Sequence, residues 1–513
     1  MDNLRTIGDV FRHNAQQRPH KIALKIGARG RSFGSLFARV QRLIAGLYAN
    51  GVRLGDRVAV LSKNSIEFIE VYGVSAGGLI PVPLNWRLSP REIVAVLEDC
   101  RPAALIYQDG FSDAVGRIRR DLSFEIATFE FRLDGSCPSP YERLLASPNP
   151  QLLEHASAEE DTACLLYTSG TTGRPKGAEL THRGLLRNAR ATIDELLSLS
   201  EDDTALAPMP FFHVGGMWYH LFPSFAAGCT SVILPEFDAG VVLRTIQQEG
   251  ITNVHLVPTM IHALLALPDR DAFDLSSLRV IFYAASTIPS EVLRRATAAF
   301  SCDFVQGYGS TEGGMISCLS AADHRNAAKN EALLLSCGRP LSGTKVRLDQ
   351  PAFEAGDNIG EIVAQSGMTM SRYWRNPVAT DAVMVSGWLR TGDLARQDDD
   401  GYLYIIDRKS DMIVTGGENV YPREVEEVLF SHPAVSEVAV FALPDEKWVQ
   451  RVVAAVVFKP GMSTTAIDLI AYVKSQLASY KCPKEMFISS NLPKNGAGKV
   501  LRRLLREKYS SSP

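Results

Sequence analysis

The sequence has no CxxC pair. Its eight cysteines, at 100, 137, 164, 229, 302, 318, 337 and 482, are scattered, with no clustered histidines at ligand spacing. That excludes a disulfide framework and a structural zinc site, and predicts reduced, mostly packing thiols in a cytoplasmic protein. An excess of one charge is also missing: 54 Lys and Arg against 57 Asp and Glu leave a formal −3. A surface that grips nucleic acid overall by neutralising phosphates is therefore excluded. Long apolar runs are absent as well. The most apolar stretch, 71–84, is broken by glycine and proline, and the first 19 residues carry charges throughout, so neither a membrane span nor a signal peptide is expected. What the chain does have is core material. Of its 513 residues 46% are hydrophobic and 22% charged, which predicts large buried cores in more than one domain.

Residues 35–50 place Leu36, Phe37, Val40, Leu43, Ile44, Leu47 and Tyr48 on one helical face, and Asn50 and Gly51 supply a left-handed stop. A strand is predicted at 57–61. The apolar stretch 76–83 leads into a helix near 90–97, and 103–107 reads as another short buried strand. Short strands between amphipathic helices predict an α/β fold with largely parallel sheets. From 346 to 361, shorter strands and Gly/Asp turns predict a small β-rich subdomain. A strand at 402–406 precedes the charged segment 407–411, and beyond it a helix at 422–429, strands at 437–442 and 451–458 and a helix at 465–478 make an α+β unit. The expected division is a large N-terminal domain of mixed sheets with flanking helices, 1–407, and a smaller mobile domain, 408–513, with the hinge near Ser410.

The segment YTSGTTGRPKG at 167–177 follows an apolar strand and combines three glycines, four hydroxyl residues and Lys176. Glycines let backbone N–H groups approach an anion, hydroxyls add donors and the lysine adds charge, so the loop suits phosphate oxygens. It does not fit GxxxxGK[ST], which argues against GTPase and simple kinase readings. Further motifs follow: YGSTE at 308–312, WLRTGD at 388–393, Gly401 through Asp407 and Arg408, GGENVYP at 416–422 with Glu424, and PKNGAGK at 493–499. In these motifs and their order the chain resembles the adenylate-forming superfamily of acyl-CoA synthetases, luciferases and peptide-synthetase adenylation domains. The resemblance covers essentially the whole length and points to the acid:CoA ligase branch.

The resemblance implies a two-step reaction on a carboxylic acid with ATP, Mg²⁺ and CoA. Attack on the α-phosphorus gives an acyl-adenylate and pyrophosphate, and a thiol then displaces AMP. Thr168, Ser169, Gly170, Thr171, Thr172, Gly173 and Lys176 would hold the β- and γ-phosphates. Tyr308 would stack on adenine, Thr311 would meet the α-phosphate and Glu312 would ligate Mg²⁺. Asp393 would accept the ribose hydroxyls with Arg408 beside it, and Lys499 would serve the α-phosphate and the acid carboxylate. After a rotation at Ser410, where many relatives carry Asp or Lys, Gly416, Gly417 and Glu418 would line the pantetheine path. Trp448 would stack on the CoA adenine. His213, Val214, Gly215 and Met217, with Tyr283 and Gly307, resemble the acid pocket. Its small residues, with no Lys or Arg at 211–218, imply an apolar fatty or aromatic monocarboxylic acid. The alternatives are transfer to a carrier protein, for which no carrier domain is evident, and a regulatory nucleotide- or acyl-binding protein that has lost catalysis. The presence of Lys176, Glu312, Asp393, Arg408 and Lys499 together opposes the second.

Overall fold

The computed structural model describes residues 3–136, 138–146, 157–169, 175–286, 288–327, 330–349, 359–409, 411–415, 418–445, 448–494 and 499–510. The predicted α/β architecture is observed. A nine-stranded sheet runs, in spatial order, through Arg339–Pro340, Gly314–Leu319, Asp303–Ser310, Val280–Tyr283, Asn253–Leu256, Thr204–Ala207, Thr230–Ile233, Ile22–Ile26 and Arg29–Ser32. Its six central strands are parallel, and only the outer ones turn antiparallel. The central strands are short apolar runs because helices cover both faces, which leaves no solvated side to select alternation. Thus Val280 and Phe282 point into one core while Ile281 and Tyr283 point into the other. The strand Ile22–Ile26 enters this sheet from the far end of the chain, with Leu24 opposite Ser231.

A second parallel sheet joins Ile80–Pro83, Arg57–Leu61, Ala104–Gln108 and Ala127–Phe131. The helix expected at 35–50 is Phe33–Ala49, started by the Ser32 hydroxyl, which accepts the Ser35 N–H at 3.2 Å. The apolar stretch 76–83 divides: Gly73–Gly77 is a 3₁₀ turn, and only Ile80–Pro83 is strand. The helix expected at 90–97 is Pro90–Cys100, closed at its start by a reciprocal bond pair between Ser89 and Glu92.

The β-rich subdomain is an antiparallel sheet of Lys345–Asp349, Ile359–Gln365, Met384–Val385, Trp388–Gln397 and Leu403–Arg408. Pairing in this sheet carries past the expected boundary at 407. Arg408 stands opposite Asp393, and the Lys409 N–H donates to the Gly392 carbonyl at 2.8 Å. The ladder thus holds Arg408 and Lys409 with the large N-terminal unit. Ser410 lies outside the described residues. Beyond it, Val435–Asp445, Val449–Phe458 and Glu485–Ile488 form a three-stranded sheet backed by Pro422–Phe430 and Ala466–Lys474. The second of these helices ends four residues earlier than its apolar pattern suggests.

Candidate active site

A separate hairpin, Thr162–Ser169 with Pro175–Thr181, is buried at its apolar root and polar at its tip. Its register sets Thr168 opposite Lys176. The strand Arg372–Tyr373 adds to the hairpin's outer edge, pairing Tyr373 with Ala178. Gly170, Thr171, Thr172 and Gly173, and the side chain of Ser169, lie outside the described residues, as do Gly416 and Gly417.

Glu312 sits in the tight turn between Asp303–Ser310 and Gly314–Leu319. The turn needs glycine at 314, where φ is +68° and a Cβ would stand 2.6 Å from Met368 Cβ. One carboxylate oxygen of Glu312 accepts from the Tyr373 hydroxyl at 2.8 Å and from Thr168 Oγ1 at 3.3 Å. The Lys176 ammonium lies 5.3 Å from the Tyr373 ring centroid. The tip of the hairpin and the turn after Tyr308 therefore meet in one oxygen-rich cluster, together with Thr311 in the same turn. Tyr373 was not predicted, because nothing in its local sequence marks it and only the strand pairing brings it there.

Beside this cluster, Asp393 is held on both oxygens. Oδ2 accepts from the Tyr308 hydroxyl at 2.7 Å, and Oδ1 lies 2.9 Å from Arg408 Nε. Burial first, and Asp393 second, push the Tyr308 phenol well above its ordinary pKa, so it stays a donor. A cavity of about 510 Å³ opens here between the two units, lined by Tyr308, Asp393 and Arg408 from one and by Lys499 and Arg502 from the other. Burial and the Arg408 charge push Lys499 down to about 8, against the pull of Asp393 and Asp411. The segment bearing Lys499 is fixed by Arg502, whose guanidinium lies 3.0 Å from Asp411, 2.7 Å from Glu426 and 3.0 Å from the Val440 carbonyl. Ala285 also lines the cavity, in a left-handed conformation (φ +76°) that costs an alanine energy.

The residues expected around the acid divide between two faces of the sheet. Val214, Gly215 and Met217 are buried on one side, where His213 Nδ1 accepts the Gly215 N–H at 3.2 Å and burial pushes the His213 imidazole down to about 4. Gly307 faces the same side, and a Cβ there would stand 2.6 Å from Met315 Cε and 2.9 Å from Phe282. Tyr283 points to the opposite face, its hydroxyl 2.9 Å from His324 Nε2 and 3.2 Å from Gln306. It packs there as a core residue, while its neighbours Ala285 and Ser286 reach the cavity. Two buried histidines near Gly215, His220 and His255, were not singled out in the sequence. Glu418, in Glu418–Val420, and Trp448 do not line the cavity. Trp448 is 37% exposed, with the Lys484 ammonium 5.7 Å from its ring centroid.

Residues 11–374 match the family model "AMP-binding enzyme", and residues 424–499 match "AMP-binding enzyme C-terminal domain". The chain is 36% identical over 501 residues to a feruloyl-CoA synthase of Amycolatopsis, covering 96% of this chain and 97% of that one. It is 34% identical over 487 residues to the long-chain-fatty-acid–CoA ligase FadD13 of Mycobacterium tuberculosis, covering 94% and 93%. Among solved structures, ATP-bound MatB from Rhodopseudomonas palustris superposes with a TM-score of 0.89 at 27% identity, covering 98% of this chain and 99% of that one. The apo form of the same protein gives 0.77 over the same shares.

Proposed function

Because this chain belongs to the AMP-binding enzyme family, and is an ATP-dependent, AMP-forming acid:CoA ligase, we propose that its interdomain cavity is where ATP and the acid carboxylate meet. The observation that carries this assignment is Lys499 in one cavity with Asp393, Arg408 and Tyr308. The better superposition on the ATP-bound than on the apo form of one relative supports reading this arrangement as the adenylating one. The substrate is an apolar fatty or aromatic monocarboxylic acid.

A carboxylate is a poor electrophile, so it first acts as a nucleophile to become a mixed anhydride. One of its oxygens attacks the α-phosphorus, the bond to the bridging oxygen breaks, and pyrophosphate leaves with that electron pair. Negative charge grows on the α-phosphate and on the leaving group, so fixed cations and donors lower the barrier most. Lys499 supplies the cation at the α-phosphate and draws in the acid carboxylate, while Thr311 donates beside it. Lys176 and Thr168, with Ser169, Gly170, Thr171, Thr172 and Gly173, hold the outer phosphates. Tyr308 stacks on the base. Asp393, already an acceptor for Tyr308 and Arg408, takes the ribose hydroxyls. Glu312, which accepts the hydroxyls of Thr168 and Tyr373, offers the oxygen donor a hard cation prefers, so it fits Mg²⁺, which would neutralise phosphate charge there.

In the second step the CoA thiolate attacks the acyl carbon, the acyl–phosphate bond breaks and AMP leaves. Before this attack, rotation about Ser410 withdraws Lys499 and presents Gly416, Gly417 and Glu418 to pantetheine, with Trp448 against the CoA adenine. A panel of fatty, aryl, dicarboxylic and amino acids, read as AMP release with ATP and CoA, tests the assignment. Turnover of apolar monocarboxylic acids is expected, and a clear preference for a dicarboxylate or an amino acid would refute the acid-pocket reading.

A further inference from the structure

Behind Gly215 lies a polar atom that the reaction described above does not use. His255, on the strand Asn253–Leu256, is fully buried. Its Nδ1 lies 2.9 Å from the Gly215 carbonyl. A carbonyl only accepts, so Nδ1 carries the hydrogen. Burial, then the neighbouring His220, push the ring down to about 3, which leaves it neutral and makes Nε2 a bare acceptor. That nitrogen is buried and has no hydrogen-bond partner among the described residues, a condition that calls for an explanation in a native fold.

Among the described residues nothing donates to it. The Phe282 ring lies 4.4 Å away, centroid to centroid, on the neighbouring strand. The His220 ring is 6.0 Å away, with its Nε2 engaged by Asn253 Oδ1 at 2.8 Å. His213 Nδ1 is taken by the Gly215 N–H. The wall between His213 and His255 is Gly215 itself: a Cβ there would stand 3.2 Å from His255 Cε1, 3.5 Å from His213 Nδ1 and 3.7 Å from Met209 Cε. Two strands along the sheet, the Met315 thioether fills the space over Gly307 and Phe282. The layer is thus a tilted pair of rings edged by glycines and by unbranched methionine ends. Methionine is the apolar residue that most easily changes rotamer to admit a ligand.

We propose that His255 Nε2 reads a hydrogen-bond donor on the tail of the acid, so that the preferred substrates are aromatic monocarboxylic acids carrying a ring hydroxyl or ring N–H. The inference rests on the acid-pocket assignment under "Proposed function" and adds to it a buried acceptor that would tell such acids from plain aryl or O-methylated ones. Buried sites built around one unpaired polar group discriminate strongly, because an analogue without the partner leaves that group unsatisfied.

The test uses the full-length wild-type protein and acid-dependent pyrophosphate exchange. Ortho-, meta- and para-hydroxyaryl propenoic acids are each compared with their deoxy and O-methyl analogues, alongside decanoic acid. At one ring position the hydroxy acid should exceed both analogues about 10–100-fold in kcat/KM. His255→Leu should erase that ratio while keeping exchange with the deoxy acid, and His255→Gln, which retains an acceptor, should keep part of it. Equal rates for hydroxy, deoxy and methoxy acids in all three series overturn the proposal in the wild type alone, whatever the variants do. An unchanged ratio in a folded His255→Leu also overturns it. Both results leave the ligase reading standing, because exchange itself persists. Loss of exchange with every acid, decanoic acid included, would instead remove the reading on which the proposal rests.

Discussion

In the proposed assignment Lys499 works as a cation in a place that discourages cations, and the pH dependence of adenylation should show it. Its ordinary pKa is lowered to about 8, first by burial and next by Arg408, with Asp393 and Asp411 pulling the other way. The protonated form is the active one, so the sign is fixed: adenylation falls as pH rises through this value. For a group at about 8, roughly nine-tenths are charged near pH ~7 and about one-tenth near pH ~9, so kcat/KM should drop about ninefold between them. The thioester step should move the opposite way, since the CoA thiol gains thiolate, the attacking form, as pH rises. The perturbation that isolates the cause is Arg408→Gln. Removing a like charge lets the ammonium form more easily, which should move the falling limb about one pH unit higher, the scale of one neighbouring charge at an effective dielectric of ~20. Arg408 also stands beside Asp393, the proposed ribose acceptor, so the absolute rate should fall too; the readout is the position of the limb. Single-turnover acyl-adenylate formation, followed from about pH 6 to about pH 10 beside thioester formation from supplied adenylate, measures both. A flat adenylation profile through about pH 9, or a limb that stays in place in Arg408→Gln, would refute the reasoning.

Lys499→Ala should cost adenylation about 10²–10³-fold, as for a single removed electrostatic donor, yet leave conversion of supplied acyl-adenylate near the wild-type rate; half-reaction assays separate the two. Trp448→Ala should raise the CoA KM by an amount worth roughly 1–3 kcal/mol of stacking, and equal damage to both half-reactions would assign Trp448 to the fold instead. Glu312→Gln should raise the Mg²⁺ concentration at half-maximal adenylation by about tenfold, measured by magnesium titration at fixed ATP. Away from the site, Arg39 bridges Glu70 and Glu142, and the Tyr141 hydroxyl donates to the fully buried Glu70. Arg39→Met should therefore destabilise by about 3–5 kcal/mol by removing the cation paired with a buried carboxylate, and an unchanged urea midpoint would refute this.

Much of this arrangement is legible in the sequence because it is local. The face Leu36, Val40, Leu43, Ile44 and Leu47 needs only the helical period, and the turn that presents Glu312 needs only its own glycines. Relations set by strand register are not legible. Tyr373 reaches Glu312 because Arg372 and Tyr373 pair with Glu179 and Ala178 almost 200 residues away, and no local pattern encodes that match. Tyr283 shows the opposite difficulty: in a strand buried on both faces polarity does not alternate, so the sequence cannot reveal which of the two cores 282 and 283 each enter. His255 is hidden for the same reason, since a single histidine among strand apolars reads as packing until its unpaired nitrogen is seen.

The strand Ile22–Ile26 finds its parallel partner at Thr230–Ile233, and this has a consequence for how the chain is made. The strand leaves the ribosome well before its partner, and the edge it must occupy does not exist until about 200 more residues have followed. At roughly 5–20 residues per second that is a wait of about 10–40 s. During it, an apolar strand with open hydrogen-bonding edges has only its short hairpin mate Arg29–Ser32 for cover. The large unit should therefore close late and cooperatively, with its amino-terminal strand docking last into a nearly finished sheet. Pulse-labelled hydrogen exchange during refolding should find the amides of 22–26 among the last to gain protection.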